Sequence, residues 1–295
     1  MVKKQKTKKR KIEVYKLTVS ELQEKIGYGY LIERCLKSLP NKGDRVLDTG
    51  AKSHLLYSAS LTNNILKMQF LSFTTGFRPD ILDTNNYAVS TTPLKETQTN
   101  VEWTHCYGGK KNGQYILLVE YVQSGIRPTT IERYLQWLFD QCYVSAEPLQ
   151  NDERLVCSLE AVAGEAFINH VDNLSRIKKA TYRIVRPNPG WGDLENDLGE
   201  QAQDSSAHKA DIVMTAVRSK SLSFSNGIVQ AIKDAFGKGK LDYAKVVGER
   251  DGQEESFDTI KYGKSSYLAF NVDPQGQVEH SDAWSKMGQY FDELE

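Results

Sequence analysis

The string Glu254-Glu255-Ser256-Phe257-Asp258-Thr259-Ile260-Lys261 gathers three carboxylates and one amine within eight residues. Such carboxylates can hold a divalent ion while a nearby lysine orients an attacking water, the donor set of a metal-dependent nuclease. Short acidic strings are also ordinary charged loops leading into a strand. Other catalytic patterns are missing: there is no G-x-x-x-x-G-K-[ST] or G-x-G-x-x-G loop, no Gly-x-Ser-x-Gly elbow and no H-E-x-x-H. Gly237-Lys238-Gly239-Lys240 follows a helical stretch, whereas a phosphate loop precedes one, so it reads as a helix end. His54, His105, His170, His208 and His280 are spaced too widely for any two to share a helical turn. Cys35, Cys106, Cys142 and Cys157 form no Cys-x-x-Cys pair and read as reduced thiols. These spacings predict no metal site and no cofactor.

The other chemistry on offer is polyanion binding. The first eleven residues contain Lys3, Lys4, Lys6, Lys8, Lys9, Arg10 and Lys11 and no acid. The whole chain is balanced at 38 basic and 38 acidic residues, so the rest of it carries an acidic excess. A run of like charge with no apolar face repels itself and cannot bury a core, which predicts a disordered tail over residues 1–11. Its phosphate contacts would be sequence-independent and salt-sensitive, because they release counterions. A solubilising tail has the same composition. A second acid-free segment, residues 175–186, holds Arg176, Lys178, Lys179, Arg183 and Arg186. On a strand over Ile177–Arg186, Lys179, Thr181 and Arg183 share one face, and Lys178, Tyr182, Ile184 and Arg186 the other. Arg218 and Lys220 close the next strand. Together these cations would touch phosphates without reading bases. The same strand could instead answer the acidic stretch with Asp193, Glu195, Asp197 and Glu200.

Local patterns then supply the elements. Ile12–Val19 alternates as a first strand, and Ser20 with Gln23 opens a short helix to Ile26. Leu31–Leu39 repeats its apolar residues at a period near 3.6 and predicts a helix. Strands are predicted over Arg45–Asp48, His54–Ser60, Ile65–Thr74 and Tyr87–Thr91. Val101–Tyr107 and Gln114–Gln123 flank a glycine-rich connection over 108–113 and predict a hairpin. Pro128 starts a helix that runs through Phe139. Further on, the patterns predict strands over Leu155–Leu159, Ile177–Arg186, Ala210–Arg218, Tyr243–Gly248 and Ser266–Val272. Helices are predicted over Ala161–Val171, Trp191–Gln201, Asn226–Phe236 and Ser281–Leu294. The periodicity breaks near 143–152. The expected organisation is a disordered tail over 1–11, a β-rich N-terminal domain over 12–145 and a C-terminal domain over 146–295. The fold class is α+β, a β-rich N-terminal region followed by a βαβ-like C-terminal sheet-and-helix region. No stretch is long and apolar enough to span a bilayer and no apolar segment follows the basic start, so a cytoplasmic protein is expected.

Three features of the order carry a resemblance. The first is Tyr115-Ile116-Leu117-Leu118-Val119-Glu120, leading into Gly125-Ile126-Arg127-Pro128-Thr129-Thr130-Ile131. The second is the break at Glu147-Pro148-Leu149 before the basic strand 176–186. The third is Asp211-Ile212-Val213-Met214 running on to the lysine-bearing helix at Lys233. Over roughly residues 100–240 this layout resembles RexA-type phage-exclusion proteins and, more loosely, the DNA-binding component of Kiwa-type antiphage systems. The resemblance implies a cytoplasmic bacterial or phage-encoded defence protein that binds DNA with little sequence preference and works with a membrane-protein effector. It carries over no catalytic residue. The leading expectation is therefore a non-catalytic sensor in phage exclusion or abortive infection that binds DNA, or RNA in its place, with a further copy of the chain as an expected partner in a homo-oligomer. The alternatives are the nuclease built on Glu254, Glu255, Asp258 and Lys261, and an interaction module that docks its apolar hairpin and helix on a partner protein.

Overall fold

The computed structural model describes residues 6–19, 27–76, 80–85, 87–95, 97–145, 155–185 and 209–294. The expected helices over Ser20–Ile26 and Trp191–Gln201, together with Lys3, Lys4 and Arg186, lie outside the described residues.

The larger sheet is built on β1 (Thr7–Val19), whose alternation buries both faces. Its partners are β14 (Ser265–Asn271) and then β9 (Cys157–Ala161) along one edge, and β8 (Gln114–Tyr121) along the other. Beyond β8 the order continues through β7 (Val101–Lys111), β4 (Ile65–Phe73), β3 (Ser53–Thr62) and β2 (Val46–Asp48), antiparallel throughout. A short ribbon of β5 (Ile81–Leu82) and β6 (Val89–Ser90) lies apart from it.

The basic start of the chain corrects the first expectation. Residues 7–11 are not a free tail but the leading half of β1, with Thr7 opposite Asn271 and Lys11 opposite Tyr267. Self-repulsion within the run does not decide its conformation, because partners elsewhere in the chain act on it. The strand β14 supplies the backbone hydrogen bonds, and acids and aromatic rings on neighbouring strands take up the cations.

The β7–β8 hairpin turns on Asn112-Gly113, both at positive φ (50° and 79°), the combination that suits a two-residue turn of the I′ kind. Gly108 and Gly109, expected in the connection, lie within β7 instead. A Cβ on Gly108 would come within 2.6 Å of the Ile116 carbonyl oxygen, so close approach of the strands explains this glycine.

Two helices, α1 (Tyr28–Ser38) and α2 (Pro128–Ser145), cover one face of the sheet. Ile32, Cys35, Leu36, Ile131, Tyr134 and Leu138 pack there against Leu17, Phe70, Leu117 and Val119. The apolar hairpin and helix expected to dock on another protein thus bury their faces within the chain. The C-terminal helix α5 (His280–Glu293) covers the opposite face, where Met287 and Phe291 meet Ile12, Val14, Leu118 and Phe270.

Between β9 and β14 the chain forms a second sheet in the order β11 (Lys209–Thr215), β10 (Arg176–Val185), β12 (Tyr243–Arg250), β13 (Gln253–Asp258). Strands β11 and β12 flank β10, both antiparallel to it, and are joined by α4 (Gly227–Gly237). This is a βαβ unit split by a central strand, as the expected fold class has it. Helices α3 (Glu165–Asp172) and α4 cover one face, with Phe167, Val229 and Ile232 against Ala180, Ile184 and Val246.

The α+β class holds, but a division at 145/146 does not separate the sheets. Strands β9 and β14 and helix α5 come from the second half and complete the layer of the first, because β1 needs partners on its outer edge. The two layers are tied by the buried ion pair of Lys16 with Asp242 and by Lys209 with Glu160 at 3.2 Å. No described helix is long and apolar enough to cross a membrane.

Candidate nucleic-acid interface

One cross-strand row sets the site. Lys11 of β1 stands opposite Tyr267 of β14 on one side and opposite Tyr121 of β8 on the other. Because side chains alternate along strands, all three point to the same face. Tyr267 is 62% exposed and Tyr121 40%. Each ring is met by a cation: Lys9 Nζ lies 5.2 Å from the Tyr267 centroid, and the Arg127 guanidinium lies 4.3 Å from that of Tyr121. Arg127 Nη2 donates to the Gln123 carbonyl at 2.8 Å, which holds the guanidinium in place. Ser265 and Ala269 flank Tyr267 on the same face, exposed and small, so the ring stands proud of the strand. Lys6 and Lys8 are exposed just upstream. The local acid is Glu13, which accepts from Lys11 Nζ at 2.8 Å and from the Tyr15 hydroxyl at 2.9 Å. The tyrosines sit about 10 Å apart, twice the strand spacing. Cations interleaved with exposed rings on a sheet can stack unpaired bases while neutralising the backbone between them.

The opposite face of the same strands is a buried polar anchor. Glu120, 1% exposed, accepts from His105 Nδ1 at 2.6 Å and from the His105 backbone N–H at 3.3 Å. Arg10 Nε lies 3.2 Å from its other oxygen, as an ion pair. The other ring nitrogen of His105, Nε2, meets His280 at 2.8 Å from its Nδ1. Trp103 and Trp284 pack edge-on against this pair. Burial, and then the neighbouring His105, hold His280 below the usual histidine range, while Glu120 and Asp273 pull the other way. The network pins β1 to β8 and β7, and so holds Lys9, Lys11 and Tyr121 in register on the far side. Arg10, expected to contact phosphate, is committed to this anchor.

The second basic segment is divided differently. A bulge between Ile177 and Lys179 brings Lys178 onto the same open face as Lys179 and Arg183, not the opposite one. There Lys178 Nζ binds Glu249 at 2.7 Å and Glu254 at 2.8 Å. Arg183 pairs with both oxygens of Asp211 at 2.7 and 2.9 Å and covers the Tyr243 ring. These partners raise the Lys178 and Arg183 pKa values and lower those of Glu249 and Asp211. The strand is answered by carboxylates on its neighbouring strands, which leaves a mixed-charge face. Lys179, Arg218 and Lys220 are exposed.

The nuclease string does not converge. Glu254 is held by Lys178, Glu255 points to the other face toward Arg250 at 3.6 Å, and Asp258 caps the Lys261 backbone N–H at 2.8 Å. Lys261 lies in the turn after β13, its amine over the Tyr262 ring. Among the described residues no group of three or more His, Cys, Asp or Glu could hold a metal ion.

Tyr121, Arg127 and Tyr267 were not visible as site residues in the sequence. The signal that could have found Tyr267 is its place in Ser265–Asn271, where it shares the small, polar face of an alternating strand. A family model described as a domain of unknown function (DUF4747) matches residues 115–271, a segment that includes Tyr121, Arg127 and Tyr267. No curated protein matches the chain.

Proposed function

The chain belongs to the DUF4747 family, and from that premise we propose that it is a non-catalytic nucleic-acid-binding protein whose contact surface is the Tyr267–Lys11–Tyr121 face. The observation that supports this is the row itself: two exposed tyrosines on either side of a lysine, each ring met by a further cation. Bases stack on such rings only when unpaired, so single strands are the preferred ligand. Every base has a π-face and the cations reach phosphates, so sequence preference is weak. The sensing role in phage exclusion that the resemblance to RexA implies would use this face as its contact with the invading nucleic acid, with a membrane-protein effector acting downstream.

The test is fluorescence anisotropy with a labelled oligodeoxynucleotide, single-stranded and as a duplex, and with the matching oligoribonucleotide. The single strand is expected to bind more tightly than the duplex. Tyr267→Ala is expected to weaken single-strand binding by about 1–3 kcal/mol, roughly 5- to 150-fold. Equal binding by the native chain and a Tyr121→Ala/Tyr267→Ala double variant would sink the proposal.

A further inference from the structure

Helices α1 and α2 bring Cys35 and Cys142 together from distant parts of the sequence. Ser38 follows Cys35 by three residues, so its hydroxyl faces the same way; it donates to the Cys35 carbonyl oxygen at 2.9 Å and lies 3.3 Å from Cys142 Sγ. Ser38 thus places Cys142 beside the turn of α1 that carries Cys35, Cys142 packs against the cluster that holds Cys35, and each thiol shifts the titration of the other. Cys35 is 1% exposed, whereas Cys142 is half-buried at the edge of the core. The asymmetry suits a reacting pair with one accessible sulfur and one sheltered behind it.

We propose that Cys142 and Cys35 are a peroxide-oxidisable dithiol, with Cys142 as the attacking sulfur and Cys35 as the resolving one.

Cys142 sulfur, as thiolate, attacks one oxygen of hydrogen peroxide. The S–O bond forms, the O–O bond breaks, and the departing hydroxide takes up the proton that Cys142 gave up, leaving as water. Cys35 sulfur then attacks the sulfenic sulfur of Cys142. The S–S bond forms, the S–O bond breaks, and the leaving hydroxide takes the Cys35 proton as a second water. Two thiols lose two electrons and two protons, and one peroxide is reduced to two waters. A dithiol reductant reverses the change.

The surroundings favour this division of roles. The Cys35 thiol first, then the Ser38 hydroxyl and the charge of Arg34, bring the Cys142 thiol down to about 7 against the opposing effect of burial. A thiol with a pKa near ambient pH is the most effective attacker. Cys35 keeps its proton, its pKa raised chiefly by the Cys142 thiol and by burial. Cys106 and Cys157 are buried thiols pushed upward by desolvation and serve as internal controls.

The experiment treats the full-length protein with limiting hydrogen peroxide, quenches it, and maps alkylated cysteines by mass spectrometry after denaturation. Alkylation at Cys35 and Cys142 is expected to fall together and return after a dithiol reductant, with Cys106 and Cys157 alkylated throughout. In Cys35→Ser, Cys142 should stop at the sulfenic acid, which dimedone traps; in Cys142→Ser, Cys35 should stay reduced. Loss of Cys142 alone in the native sequence, or full alkylation of both cysteines after peroxide, would overturn the assignment. The native measurement stands by itself if the Cys35 variant does not fold.

Discussion

Replacing Glu120 by alanine tests whether the buried anchor holds the exposed face. Glu120 is 1% exposed and serves His105 through two donors and Arg10 through an ion pair. Removing it leaves the His105 Nδ1–H and backbone N–H without their acceptor and strands the Arg10 charge, whose side chain is 18% exposed. Breaking a buried pair from one side costs about 3–5 kcal/mol. The two orphaned donors are worth about 1–3 kcal/mol each, but they belong to the same network and do not add in full. The residual exposure of Arg10 lets water recover part of its charge. The expected loss is thus about 3–4 kcal/mol, a large share of the roughly 5–15 kcal/mol that holds a domain folded. At about 2 °C or a little more per kcal/mol for a chain of this size, the melting temperature should drop by about 6–10 °C. Urea unfolding followed by circular dichroism measures the loss. Hydrogen exchange locates it, because the amides of residues 7–11 should lose protection ahead of those in β3 and β4. Glu120→Gln keeps an acceptor for His105 and should cost less. A loss under 1 kcal/mol in the alanine variant would refute the anchor, as would unchanged protection at residues 7–11.

Two further outcomes follow from the same geometry. Lys9→Gln should lower the slope of log affinity against log salt by about 0.7 for a single-stranded ligand, whereas Tyr267→Ala should leave that slope unchanged; both are read from anisotropy titrations over a salt series. His280 and His54 are both held below their ordinary range, by burial first and then by the charge of His105 and Lys52 respectively. The unfolded chain therefore binds more protons than the folded one below the ordinary histidine value of about 6.5. Stability should be complete above that value and fall as pH falls through it, by at most about 1.4 kcal/mol per pH unit for each histidine. Urea titrations at stepped pH check this, and His280→Gln should flatten the decline.

The structure also changes what a truncation would mean. Removing residues 1–11 would delete most of the stretch of β1 that pairs with β14, so lost binding would report a broken sheet edge as readily as lost charge. Single substitutions at Lys9 and Tyr267 separate the two effects.

Local periodicity made most elements legible. The helices at 28–38, 128–145, 227–237 and 280–293 each show an apolar face with a recognisable start or stop, and the strands flanking Asn112-Gly113 alternate clearly. The split βαβ unit was legible for the same reason: β11, α4 and β12 follow one another directly along the chain. The candidate interface was legible in one part only. Its lysines stood out as charge, but its tyrosines belong to strands from the middle and the end of the chain. The anchor was less legible still, since His105 and His280 are 175 residues apart and neither lies in a motif.

The sequence by itself determined which segments alternate, which coil, and where positive charge accumulates, because these depend on residues within a few positions of one another. It could not determine the fate of residues 7–11. Thr-Lys-Lys-Arg-Lys has no apolar pattern, and only the neighbouring strands make it a strand. A β-strand's stability comes from backbone partners that can lie anywhere in the chain. The tertiary structure decided that β14 returns to pair with it, that Glu120 waits beneath Arg10, and that Tyr267 and Tyr121 flank Lys11. The same physics holds for Cys35 and Cys142, which come together beside Ser38 only because α1 and α2 bury their apolar stripes against the same sheet.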